Sequence, residues 1–262
     1  MKPRAVILSL SSDYGCQVQM SNFPELLEML STFELGYWQL VSSGDMPQDY
    51  DVAIIEGAVT TDEQVALLEK VRSIASCVIA IGACAVTGGV PALASGGPVR
   101  GQLKDVYGSG SSKVGIGARK PEPIKHYIEV DFSIPGCPIE PAELSRTLQR
   151  ALRALTDNPE RQSMCGECKT AENICMWTQN VPCLGLIARS GCNAKCVSRG
   201  RACTACRGIA HDANLASAFA FADSMGCPPE EFDALLKIYN AMSDQELRKE
   251  AVGKIAAQEV AS

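Results

Sequence analysis

Short apolar runs alternate with amphipathic stretches along the first 157 residues. Runs of five or six largely apolar residues predict buried strands at Ala5–Leu10, Asp51–Glu56 and Cys77–Ile81. Tyr127–Phe132 alternates between apolar and polar residues, which predicts a further strand. Buried strands separated by amphipathic helices indicate a parallel sheet that is covered on both faces.

Three amphipathic segments predict the helices between and after these strands. They are Pro24–Thr32, the stretch that follows a capping box at Thr60-Thr-Asp-Glu63, and the stretch from Pro141 to Leu155. Apolar residues recur there every three or four positions, as they do on one face of a helix. The last of these helices is expected to end at Asn158-Pro159.

Residues 86–125 interrupt the alternating pattern with nine glycines and four prolines. A loop of that length inside a compact domain is usually functional or faces a partner. The stretch from Gly96 to Gly101 has the first spacing of a phosphate-binding loop, but Gln102 stands where the lysine is needed. Nucleotide binding by this chain is therefore unsupported.

Composition and charge narrow the class of protein. With 46% apolar and 21% charged residues, the 262-residue chain is globular and long enough for one large or two modest domains. A net charge of −6 and an aromatic content of 5% argue against nucleic-acid binding. No stretch reaches the roughly 18 apolar residues of a membrane span, and no leader is recognisable, so we expect a cytoplasmic protein.

Cysteine spacing marks a second region. Eight of the thirteen cysteines lie between Cys165 and Cys206, in the pattern C-x2-C-x6-C-x7-C-x8-C-x3-C-x6-C-x2-C. We therefore expect one domain over residues 1–157 and a cysteine-rich domain over 158–262. The latter ends in a helical tail with a capping box at Ser243-Asp-Gln-Glu246. Two groups of four thiolates suit tetrahedral zinc or iron–sulfur cubes, and spacing alone leaves both open beside disulfides or packing.

Three further cysteines follow the predicted strands of the first domain. Cys16 and Cys84 follow the first and third buried runs, and Cys137 follows Tyr127–Phe132. Since the carboxyl ends of parallel strands meet at one edge of the sheet, these thiols are expected to converge there. Ligand sites form at that edge, which favours a redox cluster over structural zinc.

These motifs together resemble the small subunit of NiFe hydrogenases, and the 20-kDa subunit of complex I shares part of them. In the first domain they are Asp13-Tyr-Gly-Cys16, Glu56-Gly57, Gly82-Ala-Cys84-Ala and Pro135-Gly-Cys137-Pro. The tail is similar to cytoplasmic, NAD(P)-linked hydrogenases of the sulfhydrogenase delta type, in Val181-Pro-Cys-Leu-Gly185, Gly191-Cys-Asn-Ala-Lys-Cys196 and Gly200-Arg-Ala-Cys-Thr-Ala-Cys206. The resemblance implies a flavodoxin-like α/β domain before the cysteine-rich one.

The resemblance also implies three 4Fe–4S clusters and their ligands. The proximal cluster would be held by Cys16, Cys84, Cys137 and, in place of the family's usual cysteine, Asp13. The distal cluster would be held by Cys165, Cys168, Cys175 and Cys183. The medial cluster would be held by Cys192, Cys196, Cys203 and Cys206. Two alternatives stay open: Asp13 is a solvated loop residue rather than a ligand, and Cys183 and Cys192 exchange places.

The implied function is electron transfer between the NiFe centre of a partner large subunit and a diaphorase or other acceptor, in NAD(P)-linked hydrogen oxidation or evolution. This chain would hold no NiFe centre, no catalytic acid or base and no nucleotide, and it would insert into no membrane. Two alternatives are a complex-I-like redox subunit without hydrogenase activity and a zinc-stabilised scaffold. The first leaves the eight tail cysteines unexplained, and the second leaves the three sheet-edge cysteines unexplained.

Overall fold

The computed structural model describes residues 2–24, 31–157 and 162–243. The chain divides into two compact units, Met1–Asn158 and Pro159–Ser262. Residues 25–30 of the helix predicted at Pro24–Thr32, and all but the first residue of the capping box predicted at Ser243-Asp-Gln-Glu246, fall outside the described ranges.

The strands of the first unit are, in chain order, β1 Arg4–Ser9, β2 Glu34–Trp38, β3 Val52–Glu56, β4 Val59–Thr61, β5 Cys77–Ile81, β6 Ala118–Glu122 and β7 Phe132–Ile134. Five of them form a parallel sheet in the order β2-β1-β3-β5-β7. The other two, β4 and β6, form a small antiparallel pair.

Helices cover both faces of this sheet, which confirms the predicted flavodoxin-like α/β class. Successive residues of β1 point to opposite faces, with Ala5 and Ile7 in one core and Val6 and Leu8 in the other. The helices of this unit are α1 Gly15–Ser21, α2 Asp62–Ile74, α3 Gly82–Thr87, α4 Val99–Tyr107 and α5 Pro141–Leu152.

Three local predictions differ from the structure. The strand predicted at Tyr127–Phe132 is wrong: β7 begins only at Phe132, which pairs with Ile79, and Ile128 packs into the core from an irregular segment. The capping box is shifted by one residue, because the hydroxyl of Thr61 accepts the bond from the Gln64 amide. Edge strand β2 was not predicted, since only its last residue is buried.

The glycine-rich segment is more ordered than its composition suggests. Turns of 3-10 helix at Val90–Gly96 and Gly108–Ser112 flank α4, and β6 follows. Six large apolar side chains of this segment are exposed: Val90, Leu93, Val106, Tyr107, Val114 and Ile116. A segment that leaves this much apolar surface open has the character of a binding face.

In its described residues, 162–243, the second unit is a set of irregular loops supported by three helices, α6 Met164–Thr170, α7 Leu215–Ser224 and α8 Pro229–Asn240. Its core contains an aromatic group in which the Phe219 and Phe232 rings meet edge to face at 5.0 Å. Trp177 lies 6.3 Å from the Phe232 ring and joins the cysteine-rich loops to the tail helices. Within the described ranges, no helix of either unit is long and apolar enough to cross a membrane.

Candidate metal centres

Three thiols of the first unit lie together at the carboxyl edge of the sheet. Cys16 is the second residue of α1, after β1; Cys84 lies in α3, directly after β5; and Cys137 follows β7. They line a partly open cavity of about 340 Å³ with Asp13 and Glu56. The convergence expected from parallel strands is therefore present in the structure, and we call this cavity the sheet-edge site.

Glycine makes room for the sheet-edge site. Gly82 has φ +85°, and a Cβ atom built on it would lie 2.6 Å from the Cys16 sulfur. The backbone amide of Ala83 donates to the Gly136 carbonyl at 2.7 Å, which ties the loop of Cys84 to the loop of Cys137. The absence of a side chain at Gly82 thus lets the Cys16 thiol approach the backbone closely.

Asp13 lines the sheet-edge site from an exposed loop position. Its Oδ1 accepts a hydrogen bond of 2.9 Å from the Gly15 amide at the start of α1. The neighbouring serines point elsewhere: Ser11 bonds to the Thr60 hydroxyl, and Ser12 bonds to the Ser9 hydroxyl at 2.9 Å. Of the oxygen-bearing side chains near Cys16 in sequence, the carboxylate of Asp13 is the one that faces the thiols.

A buried polar chain supports Cys16 from behind. Glu56 accepts the Cys16 amide at 2.9 Å with one oxygen and the Gln17 amide group at 3.1 Å with the other. The Trp38 indole donates to Gln17 at 2.8 Å, and all four residues are buried. Gln17 and Trp38 were missed by the sequence analysis, since the motif marks Gln17 only as a neighbour of Cys16 and nothing marks Trp38.

Burial disfavours the thiolate form of two cysteines of this site, Cys16 and Cys84. Desolvation, followed by the charge of Glu56, raises the pKa of the Cys16 thiol far above its ordinary value of 9.0. Desolvation and then the neighbouring Cys137 raise the pKa of Cys84 to about 11. Desolvation also raises the pKa of Glu56 itself. A metal centre must therefore displace thiol protons as it binds.

The first cavity of the second unit, the α6 site, is lined by four cysteines. They are Cys165, Cys168, Cys175 and Cys183, around a space of about 340 Å³ that Lys169 and Trp177 also line. Helix α6 carries the first pair, one turn apart. A Cβ atom on Gly185 would lie 2.5 Å from the methyl carbon of Met164, so glycine leaves room here for that side chain, and it would be in ordinary contact, at 3.5 Å and 3.6 Å, with the sulfurs of Cys165 and Cys183.

The second cavity of this unit, the knuckle site, is lined by the remaining four cysteines. They are Cys192, Cys196, Cys203 and Cys206, and the space they line is about 330 Å³. The Cys203 amide donates to the Cys183 sulfur at 3.3 Å, and the Leu184 amide donates to the Cys203 carbonyl at 2.9 Å. The two cavities of this unit therefore adjoin, with Cys183 in the α6 site and Cys192 in the knuckle site.

In each site the cysteine side chains line an open space and do not pack against one another, so the donor set suits iron–sulfur chemistry. All thirteen cysteines lie in the described ranges, and none of them forms a disulfide. Among the described residues, no three His, Cys, Asp or Glu side chains are arranged to share a single metal ion. Cys77 lies at the start of β5 and Cys227 lies in the tail core, and neither lines one of the three cavities.

Comparison with known proteins gives one family and several relatives. Residues 14–151 match the family described as the NADH ubiquinone oxidoreductase 20-kDa subunit. The chain is 30% identical over 235 residues to sulfhydrogenase 2 subunit delta of Pyrococcus furiosus, which covers 89% of this chain and 97% of the relative. It is 29% identical over 231 residues to a vhu subunit of the F420-non-reducing hydrogenase of Methanocaldococcus jannaschii, covering 77% of this chain and 80% of the relative.

Solved structures give the same picture of the fold. A chain of an NAD+-reducing NiFe hydrogenase in its H2-reduced state is 26% identical and superposes with a TM-score of 0.50, covering 59% of this chain and 93% of that chain. A chain of the reduced, active NiFeSe hydrogenase from Desulfomicrobium baculatum superposes with a TM-score of 0.55 at 16% identity, covering 79% of this chain and 94% of that chain.

Proposed function

We propose that this chain is the iron–sulfur subunit that carries electrons in a NiFe hydrogenase. The chain belongs to the family of the NADH ubiquinone oxidoreductase 20-kDa subunit and is a hydrogenase-related subunit. One observation carries the proposal. Eleven cysteines and Asp13 fall into three sets of four, and each set lines one cavity. Three sets of four ligands support three 4Fe–4S clusters.

The chain's own residues would hold and insulate these clusters. An iron–sulfur cluster, when bound, supplies reversible one-electron transfer. Cys16, Cys84 and Cys137 would ligate it at the sheet edge, with Asp13 as the fourth ligand. The cysteines of the α6 site would hold the distal cluster and those of the knuckle site the medial one. Cys16, Cys168 and Cys183 are buried, and backbone amides such as that of Ala205, 3.4 Å from the Cys203 sulfur, donate to the ligands.

The proposed partners are a large subunit that holds the NiFe centre and a flavin and iron–sulfur diaphorase or other acceptor. The exposed apolar residues of the segment 90–116 support a subunit interface on the first unit, because apolar surface of this extent is usually covered by a partner. The similarity to a chain of an NAD+-reducing hydrogenase supports an NAD(P)-linked acceptor. Catalysis of hydrogen chemistry would take place on the large subunit, and this chain would move the electrons.

Metal analysis of anaerobically purified protein tests this proposal. The chain should be brown and should carry on the order of 12 iron and 12 sulfide, four of each per cluster. Replacing Cys168 with alanine should lower the iron content or convert one cluster to a three-iron form. The matched control is Cys227→Ser, because Cys227 is also buried but lines no cavity, and this variant should keep all its iron. A colourless protein with about two zinc ions and no sulfide would establish the scaffold instead.

A further inference from the structure

The three cavities differ sharply in the charged side chains that line them. The sheet-edge site has two carboxyl groups, those of Asp13 and Glu56. The α6 site has the single ammonium group of Lys169. The knuckle site has two guanidinium groups, those of Arg189 and Arg207. The sheet-edge site is thus lined by acidic groups, the α6 site by one basic group and the knuckle site by two basic groups, although the three sets of thiols are otherwise similar.

Arg207 is the deepest of these cations. Only 3% of its surface is exposed, and it directly follows the candidate ligand Cys206. Its Nε donates to the Ser190 carbonyl at 2.6 Å, which fixes the guanidinium against the cavity wall. A Cβ atom on Gly191, which has φ +109°, would lie 2.5 Å from Nη2 of Arg207, so the backbone leaves this space to the guanidinium.

A cation fixed in a buried wall acts on any redox centre in that cavity. Reduction adds one negative charge to the centre, and the attraction between that charge and a nearby cation is weakly screened where water is excluded. Arginine keeps its charge at every physiological pH, so the attraction is permanent. Carboxylates in the wall act in the opposite direction, because they repel the added charge.

Building on the function proposed above, we propose that Arg207 raises the reduction potential of the knuckle-site cluster. The electron balance is simple: a neighbouring cluster would lose one electron and be oxidised, and the knuckle-site cluster would gain that electron and be reduced. No bond forms or breaks, and no proton is required. Arg207 would thus favour the state in which the electron occupies the knuckle-site cluster.

Redox titration of the intact hydrogenase complex, followed by electron paramagnetic resonance, tests this role. Cys196→Ala identifies the knuckle-site cluster, since the loss of one ligand converts its signal to that of a three-iron cluster. In Arg207→Gln the equilibrium constant for reducing this cluster should fall at least tenfold, which is about 59 mV for one electron. Arg207→Lys keeps the charge and should stay within threefold of wild type.

Arg199→Gln is the matched control, because Arg199 follows Cys196 in the same loop but is exposed to solvent. Its effect should be less than twofold and should vanish in high salt, whereas that of Arg207→Gln should persist. An unchanged potential in Arg207→Gln at full iron content would overturn the proposal, as would an equal fall in Arg207→Lys. If Arg207→Gln loses its cluster, Arg189→Gln must lower the same potential, or the proposal fails. Absence of this cluster from the wild-type protein would instead contradict the proposed function.

Discussion

Asp13 stands where the resemblance to hydrogenase small subunits implies a cysteine, and its surroundings distinguish it from the other oxygen-bearing residues nearby. It lines the sheet-edge site, while Ser11 and Ser12 bond to other hydroxyls. A carboxylate is a harder donor than a thiolate, so it binds iron less covalently, although it carries the same charge. The proposed proximal cluster therefore has one iron unlike the other three.

Replacing Asp13 tests its role as a ligand. Asp13→Cys should keep four irons at the sheet-edge site and shift the potential of that cluster. Asp13→Ala should give a three-iron or labile cluster there and leave the two clusters of the second unit unchanged. Iron analysis and electron paramagnetic resonance measure both effects, with Asp45→Ala as the control for an exposed carboxylate outside the cavity. If Asp13→Ala keeps the wild-type iron content, spectrum and potential, Asp13 is not a ligand.

At the scale of single elements, the tail helix α8 reaches the knuckle site. Asn240, the last residue of α8, is fully buried, and its side-chain amide donates to the Ala205 carbonyl at 3.0 Å. Ala205 lies between Cys203 and Cys206 and has φ +54°, a conformation that is costly for a residue with a Cβ atom. The helix thus holds a strained loop in place, a role that the sequence pattern of the tail does not reveal.

Removing the side-chain amide of Asn240 should therefore loosen the knuckle site. Asn240→Ala removes one of two hydrogen bonds to the Ala205 carbonyl, which also accepts from the Gly208 amide at 3.0 Å, and this loss costs about 0.5–1.5 kcal/mol. We expect chelators to extract iron from the knuckle site several times faster, with the sheet-edge site unaffected. Asn173→Ala is the control, since its side-chain bond to Ser198 is exposed. Equal rates of iron loss in wild type and Asn240→Ala would show that the helix does not support this loop.

At the scale of the whole molecule, the exposed apolar segment of the first unit sets the expectation of a partner. Ile116 is 86% exposed and Val106 is 73% exposed, which is unfavourable for a chain that stays alone in water. Their segment accounts for six of the sixteen large apolar side chains that are exposed in the described part of the chain. The exposed apolar surface of the segment 90–116 therefore supports the proposed interface with a partner subunit.

Charging this surface should weaken the proposed complex. Ile116→Asp and Val106→Asp bury a carboxylate at the interface, and each should lower the affinity for the large subunit at least tenfold, about 1.4 kcal/mol. Co-purification of a nickel-containing subunit and native mass spectrometry measure the effect. Val41→Asp is the control, because Val41 is 63% exposed in the same unit but outside the segment. Retention of the nickel-containing subunit by both interface variants would exclude this segment as the contact.

The amino-acid sequence is sufficient to predict the fold class and the residue types of the proposed sites. Buried apolar runs separated by helices require a covered parallel sheet, and such a sheet brings Cys16, Cys84 and Cys137 to one edge. Local patterns were less informative where burial depended on distant neighbours. Edge strand β2 is mostly exposed, so it has no apolar run, and β7 begins where β5 offers a partner rather than where the residues 127–132 alternate.

Which of the eight tail cysteines line each cavity, and which residues surround them, depends on the three-dimensional packing of the chain. Spacing left Cys183 and Cys192 interchangeable, and the chain path through Gly185 and Gly191 places one in each cavity. The burial of Arg207, the polar chain behind Cys16 and the reach of Asn240 likewise depend on contacts between residues far apart in sequence. Such contacts arise from packing in three dimensions, which residue order along the chain does not specify locally.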